Sequence, residues 1–250
     1  MIERDLVIGL DCSTTAVKAV VYNAQGTIQS ISRVGLPVHK PRPSWHEQPA
    51  QAWWQSTVQA LREAASRVDP RRVAAICIAP QRETFVLTDD QGNPLHEALL
   101  WMDERCRDLL PKIDRVYGKS RIHAETGKPL SANLTLGKLL WLNIYMPELN
   151  QASTRVNDVH AFLARRLTGR FVTSSGCADP SGLFDMQNNC WNKALIEATG
   201  FNERQFPEVV EPGAVIGELL AQAAQECGLP AHIPLVGGLG DGQSAGLGVG

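Results

Sequence analysis

Asp11 is followed within seven residues by three hydroxyl side chains, Ser13, Thr14 and Thr15, and by a base, Lys18. A turn of small residues presents backbone N–H groups, and with hydroxyls and an ammonium beside them it can hydrogen-bond and neutralise phosphate oxygens. An acid at the start of that turn is placed to hold a metal ion next to the phosphate. A hairpin closed by a Ser/Thr turn accounts for the same residues, so the stretch alone leaves both readings open. A second acid, Asp241, lies in the glycine-rich run Gly237-Gly238-Leu239-Gly240-Asp241-Gly242-Gln243-Ser244-Ala245-Gly246. There, as in Val7-Ile8-Gly9-Leu10-Asp11, an apolar run leads through glycine to aspartate. Loops at strand ends of an open sheet converge on one crevice, where two such aspartates can share a phosphate-transfer site.

The elements that must position these residues follow from periodicity. Residues 6–10 form a continuous apolar run of the buried-strand kind and 17–22 a β-branched one. A turn at 23–26 and alternation over 27–36 add a third strand, so the chain opens with an antiparallel meander. A Pro-rich loop at 40–49 leads to a helix expected over 50–68, with Trp53, Val58, Leu61 and Ala65 on one face. The apolar run 73–79, coming after a crossover helix, is expected to lie parallel in the same sheet, giving the order βββαβ. Beyond it, 85–88 and 98–101 read as short strands, and 104–117, 136–145, 160–167 and 214–227 as helices. Residues 172–191 read as irregular, with a turn at 179–182, and 233–236 is an apolar run ahead of the glycine-rich segment.

Composition bounds the function. At 250 residues with 44% apolar content, the chain can bury a core without covalent staples. A formal net charge of −2 and the lack of any basic block speak against a nucleic-acid footprint or a membrane surface. The six cysteines show no C-x-x-C pair and read as reduced thiols, and no run is long enough to span a bilayer, so a cytoplasmic protein is expected. Histidine spacing offers no zinc site.

Taken together, these residues resemble the FGGY carbohydrate kinases, the family that includes glycerol kinase, xylulokinase and gluconokinase. The resemblance rests on Gly9-Leu10-Asp11-Cys12-Ser13-Thr14-Thr15, on Trp45-His46-Glu47-Gln48-Pro49 with Trp53-Trp54, and on Gln81-Arg82-Glu83-Thr84. It continues through Trp101-Met102-Asp103-Glu104-Arg105, Thr126-Gly127 with Lys138-Leu139-Leu140-Trp141, Leu183-Phe184-Asp185 with Trp191, and Gly237 to Gly246. Their order and spacing along essentially the whole chain carry the signal. The resemblance implies an α/β fold: a ribonuclease-H-like, actin- and hexokinase-like lobe with a mixed sheet in βββαβ order plus a helical insertion.

It also implies a division of labour. Asp241 would be the general base that takes the proton from a substrate hydroxyl as it attacks the γ-phosphorus of ATP. Asp11 would orient Mg²⁺ directly or through water, and Ser13, Thr14, Thr15 and Lys18 would face the terminal phosphates. Arg82 and Glu83 match a pair that holds polyol hydroxyls, and Trp101 a tryptophan lining that pocket. Asn133 stands where glycerol kinase has a tyrosine contact and Gly242 where it has a glutamine. Both changes leave room, so a longer polyol or a ketose is at least as suitable as glycerol. The expected partners are a sugar or polyol and ATP, with neither nucleic acid nor membrane, and a homodimer is left open.

The family implies two similar lobes with ATP between them. Residues 1–250 would be the N-terminal lobe, with the C-terminal ATP-binding lobe absent, so that the isolated chain would bind sugar without appreciable turnover. The rival from another class is a haloacid-dehalogenase-type phosphohydrolase, which needs a second acid where this chain has Ser13 and another near Ser244. Without the family, Asp241 would be a turn former, Arg82-Glu83 a surface couple and Trp53 a core aromatic. Cys12 reads as an inert buried thiol, and Asp103 with Arg105 as a structural ion pair.

Overall fold

The computed structural model describes residues 3–250. Strands β1 (Leu6–Cys12), β2 (Ala16–Asn23) and β3 (Ile28–Gly35) form the expected antiparallel meander. The two-residue strand β4 (Glu47–Gln48) interrupts the Pro-rich segment that the sequence suggests is all loop. Helix α1 (Ala50–Ala65) stops short of the expected 68, because Arg67 and Val68 bond back to Ala64 and Ala65 in a tighter turn. Asp69 is then held extended by the following Pro70. Strand β5 (Val73–Pro80) pairs parallel with β1, as the crossover requires.

The insertion begins with β6 (Phe85–Thr88) and β7 (Ala98–Leu99), which with β4 and a later strand make a four-stranded sheet. The helix expected over 104–117 is only partly formed. Its first half is a single 3₁₀ turn at Arg107–Leu109, because Asp103 and Arg105 are drawn into buried ion pairs, and α2 (Leu110–Tyr117) follows. Gly118, at φ +78°, breaks the chain before α3 (Lys119–Thr126), a helix that periodicity did not reveal. Helices α4 (Thr135–Tyr145) and α5 (Val159–Thr168) lie within one residue of their expected bounds, with β8 (Arg155–Asp158) between them.

The stretch read as irregular holds β9 (Val172–Ser174), α6 (Ser175–Ala178), β10 (Phe184–Asp185) and β11 (Cys190–Trp191). Helix α7 (Lys193–Ala198) and strand β12 (Glu208–Val210) follow. The helix expected over 214–227 is a strand and a shorter helix, β13 (Val215–Glu218) and α8 (Ala221–Cys227). The alanines of α8 gave the helical signal, whereas Val215 and Ile216 favour the strand that pairs with β14 (Pro234–Val236). Helix α9 (Asp241–Val249) closes the described chain.

The six-stranded sheet has the order β13-β14-β5-β1-β2-β3, with β14, β5 and β1 mutually parallel. Alternation along β1 sends Leu6, Ile8, Leu10 and Cys12 to one face, where they meet Trp53, Leu61 and Phe162 in a continuous core with α1, α5 and α8. Each such fully buried large side chain contributes about 1.5–3 kcal/mol. A second core, around Phe85, Leu99, Leu139, Leu183 and Phe201, lies within the insertion. No helix among the described residues is long and apolar enough to cross a membrane.

Candidate active site

Because β14, β5 and β1 are parallel neighbours, their carboxyl ends open on the same edge of the sheet. Asp11 is the penultimate residue of β1, Gln81-Arg82-Glu83 directly follow β5, and Asp241 begins α9 after the glycine loop that leaves β14. Two glycines let that loop close on the other strands. A Cβ on Gly238 would sit 1.7 Å from the Ile78 carbonyl oxygen, and one on Gly240 would sit 2.2 Å from Cδ of Arg82. The Arg82 side chain is thus laid directly on the backbone that carries Asp241. His160 Nε2 accepts from the Gly238 N–H at 3.3 Å, and the Ser174 hydroxyl donates to the Gly238 carbonyl. Burial pulls the His160 pKa down, which favours the neutral ring able to accept that bond.

In the loop that follows β5, Arg82 Nη2 lies 4.0 Å from Glu83 Oε1. Burial raises the Glu83 pKa, opposed by Arg82 first among its neighbours. Trp101 is 38% exposed, and its indole N–H donates to Thr14 Oγ1 at 3.0 Å. The Thr14 hydroxyl in turn donates to Gln81 Oε1 at 3.0 Å, and Thr84 donates to the same oxygen at 3.1 Å. Thr84 Oγ1 also accepts from the Trp101 N–H at 2.9 Å, closing a ring of bonds from the hydroxyl turn to the tryptophan. Asn133 is partly buried two residues before α4, whose Thr135 hydroxyl reaches the Glu83 carbonyl at 3.4 Å. The Asn133 side chain makes no hydrogen bond among the described residues.

The hydroxyl turn closes a hairpin between β1 and β2. Its chemistry is narrower than its composition suggests. Ser13 commits its hydroxyl proton to the Ala16 carbonyl at 2.9 Å and Thr14 commits its own to Gln81. Thr15 is exposed and its hydroxyl makes no side-chain bond among the described residues. Lys18 lies opposite Asp11 across the hairpin and pairs with Asp11 Oδ2 at 3.1 Å. Asp11 Oδ1 is buried and has no hydrogen-bond partner among the described residues. An orphaned carboxylate oxygen beside a hydroxyl turn fits a hard cation such as Mg²⁺, which binds through one or two carboxylates, phosphate oxygens and retained waters. No cluster of three or more metal-ligating side chains occurs among the described residues, so Asp11 would not be part of an all-protein cage.

Several residues outside the sequence-derived site shape it. Gln81 is 3% exposed and Gln48 is fully buried. Gln48 accepts from Trp53 Nε1 at 2.6 Å and donates to the Thr14 carbonyl at 2.9 Å. Lys128 and Asp179, paired at 2.7 Å, stand close enough to Glu83 to act on its charge. Arg105 is fully buried between Asp103 and Glu47, with its guanidinium 3.9 Å from the Trp45 ring centroid. That arrangement bears out the structural ion pair expected for Asp103 and Arg105. All six cysteines are free, and burial pushes the Cys12 thiol far up, which fits an inert role. No second acid stands two residues after Asp11, where the phosphohydrolase alternative needs one.

A meander-crossover lobe with one acid ending its first strand and another opening the helix after its last parallel strand is the actin- and hexokinase-like architecture. Residues 6–248 match the model of the FGGY family of carbohydrate kinases, N-terminal domain, and the chain belongs to that family. It is 32% identical over 245 residues to the glycerol kinase of Thermococcus kodakarensis, covering 96% of this chain and 48% of the relative. It is 30% identical over 245 residues to the xylulose kinase of Escherichia coli K12, covering 98% and 50%. Among solved structures, the xylulose kinase of Rhodospirillum rubrum superposes with a TM-score of 0.94 at 25% identity, over 98% of this chain and 51% of that one. The chain therefore spans about half the length of the curated relatives it matches.

Proposed function

We propose that this chain is the acceptor-binding and base-carrying lobe of a kinase that transfers the γ-phosphoryl group of ATP to a hydroxyl of a sugar or polyol. The observation that carries this reading is the convergence of Asp11, Arg82-Glu83 and Asp241 at the ends of three adjacent parallel strands, with Arg82 packed on Gly240. Asp241 accepts the proton of the attacking hydroxyl; its carboxylate is exposed, and Oδ1 is oriented by the Gly242 N–H at 2.8 Å. Arg82 donates to, and Glu83 accepts from, neighbouring hydroxyls, while the Trp101 indole covers the C–H face of the acceptor. Among the described residues no acceptor is bonded to the N–H groups of Thr14 or Thr15, which leaves these and the Thr15 hydroxyl as donors to phosphate. Lys18 adds positive charge there, and Asp11 would hold Mg²⁺. When bound, that ion neutralises charge on the phosphates. Positioning and charge neutralisation are most of what phosphoryl transfer requires.

The relatives' names give glycerol and xylulose as the acceptor range to examine. Asn133 and Gly242, where glycerol kinase has a tyrosine and a glutamine, would leave room beside the acceptor, so a linear polyol or ketose longer than glycerol is at least as suitable as glycerol. Free thiols and the ATP requirement suit the cytoplasm. The test is calorimetric binding of glycerol, erythritol, pentitols, ketopentoses and gluconate to this chain. ADP release is measured with the same set, on this chain and on its reading frame extended to the relatives' length. Binding of one acceptor class with ATP-dependent release supports the proposal, and binding without release by residues 1–250 assigns turnover to the longer chain. Phosphate release from sugar phosphates without ATP would overturn it.

A further inference from the structure

Lys138 is fully buried on α4, yet the proposed chemistry makes no use of it. Its ammonium donates to the carbonyl oxygens of Leu100 at 2.7 Å, Trp101 at 3.3 Å and Glu83 at 3.4 Å. These are the two chain segments that present the acceptor side chains. Glu83 has φ +55°, the left-handed region that non-glycine residues enter at a cost of about 1–3 kcal/mol unless their surroundings hold them there. Two donors from α4 hold it: the Lys138 ammonium and the Thr135 hydroxyl both reach the Glu83 carbonyl. A buried cation with three carbonyl acceptors is a specific arrangement, because an ammonium has three N–H donors and no other way to satisfy them away from water.

We propose that Lys138 is a positioning residue of the acceptor site, its ammonium clamping the Glu83 and Trp101 peptides so that the Glu83 carboxyl and the Trp101 indole face one acceptor. This rests on the reading of Arg82, Glu83 and Trp101 as the acceptor wall. The clamp is sensitive to pH. Burial lowers the Lys138 pKa from 10.5 to about 8, opposed by the Asp103 and Glu83 carboxylates and helped by the Arg105 guanidinium, with the Cys106 thiol as the other titratable neighbour. Burial pushes the Cys106 thiol up to about 11, so it stays protonated while Lys138 titrates. Loss of the proton leaves two neutral N–H donors for three carbonyls, and neutral bonds are about half as strong as charge-assisted ones. Global stability moves the other way. Between the folded value near 8 and the unfolded 10.5, the unfolded chain binds more protons at this site, so the Lys138 contribution to stability rises with pH.

The experiment has two independent readouts. Amide hydrogen exchange is measured on wild type and Lys138→Met, which keeps the stem and removes the donors. Exchange is expected to accelerate about tenfold or more at 82–85 and 100–103 while the core strands stay protected. Acceptor affinity of the wild type is measured from pH 7 to 10 and is expected to weaken through pH 8 while the denaturation midpoint does not fall with it. Unchanged exchange at both segments in folded Lys138→Met overturns the clamp. Acceptor affinity that stays flat through pH 8, or that falls only together with the denaturation midpoint, overturns it as well. If Lys138→Met does not fold, the wild-type pH profile decides. If no acceptor binds the wild type, the acceptor-wall reading fails and the exchange result still decides the clamp.

Discussion

Gln81, Thr84, Asp103, Arg105 and Lys138 on the proposed acceptor wall are all buried and bonded to one another's segments, whereas the Asp11 and Lys18 side chains are 32% and 41% exposed and Asp241 stands in solvent. Both walls carry charge, but only one is knitted. Hydrogen bonds on the acceptor side run from the hydroxyl turn through Gln81 to Trp101, and ion pairs run from Arg105 to Glu47 and Asp103. A pre-set grip of this kind lowers the ordering cost of holding a flexible polyol. On the proposed phosphate side the useful atoms are those left free: Asp11 Oδ1, the Thr14 and Thr15 N–H groups and Asp241 Oδ2. Rigid recognition on one wall and unsatisfied polar atoms on the other are what a site needs if it selects its acceptor and receives a phosphate.

The sharpest way to separate the walls is at Asp241. Asp241→Asn in the active kinase should lower turnover by about 10²–10⁴-fold with acceptor affinity unchanged, measured by ADP release and calorimetry. Retained turnover would remove Asp241 as the base. Next in size, Arg105→Met should cost about 3–5 kcal/mol in urea unfolding, since it strands two buried carboxylates. The matched change Lys18→Met on the more exposed pair should cost less than about 1 kcal/mol. Equal losses would show that the two walls are held alike.

Arg82→Ala should raise the acceptor concentration for half-maximal rate about 10–100-fold, the worth of one charged hydrogen bond. Gly240→Ala, whose methyl would collide with the Cγ–Cδ stem of Arg82 and shift the guanidinium, should move the same parameter in the same direction by less, with a small loss of stability. An unaltered acceptor dependence in both would dissolve the proposed pocket. The smallest effect is at Glu83. Burial raises its carboxyl pKa above the ordinary 4.5, so just above that pH the native state keeps its proton more than the unfolded chain does. Stability from this group therefore falls as pH rises upward from 4.5, and Glu83→Gln should gain on the wild type over that range in paired urea titrations. A difference that stays constant with pH would place Glu83 in water.

The meander, the crossover helix and β5 were legible because their apolar runs have strand length or helical spacing, and short turns leave few topologies open. The boundary at 214–220 was not, since alanines that suit a helix lie next to Val215 and Ile216, and only pairing with β14 decides between them. Asp11 and Asp241 could be linked by their shared glycine-aspartate ending, while Arg82, Glu83 and Trp101 became visible only through the family pattern. Lys138 was invisible as a functional group because a lysine on an apolar helix looks the same whether its ammonium reaches water or three carbonyls. Gln48 and Gln81 were equally silent, for amides carry no sequence sign of burial. The commitment of the Ser13 and Thr14 protons also needed coordinates, since composition counts hydroxyls and not their acceptors.

The sheet order has a consequence for the chain as it is made. Strand β5 lies between β1 and β14, but β14 is synthesised about 160 residues after Ile76, its partner to Leu235. At about 5–20 residues per second, the inner edge of β5 waits unpaired for roughly 8–30 s of translation. An unpaired hydrophobic edge invites strand addition from other chains, so the nascent protein is most prone to aggregate in that interval. Asp241 follows β14 after the glycine loop, so the strand that covers this edge also carries the proposed base into place.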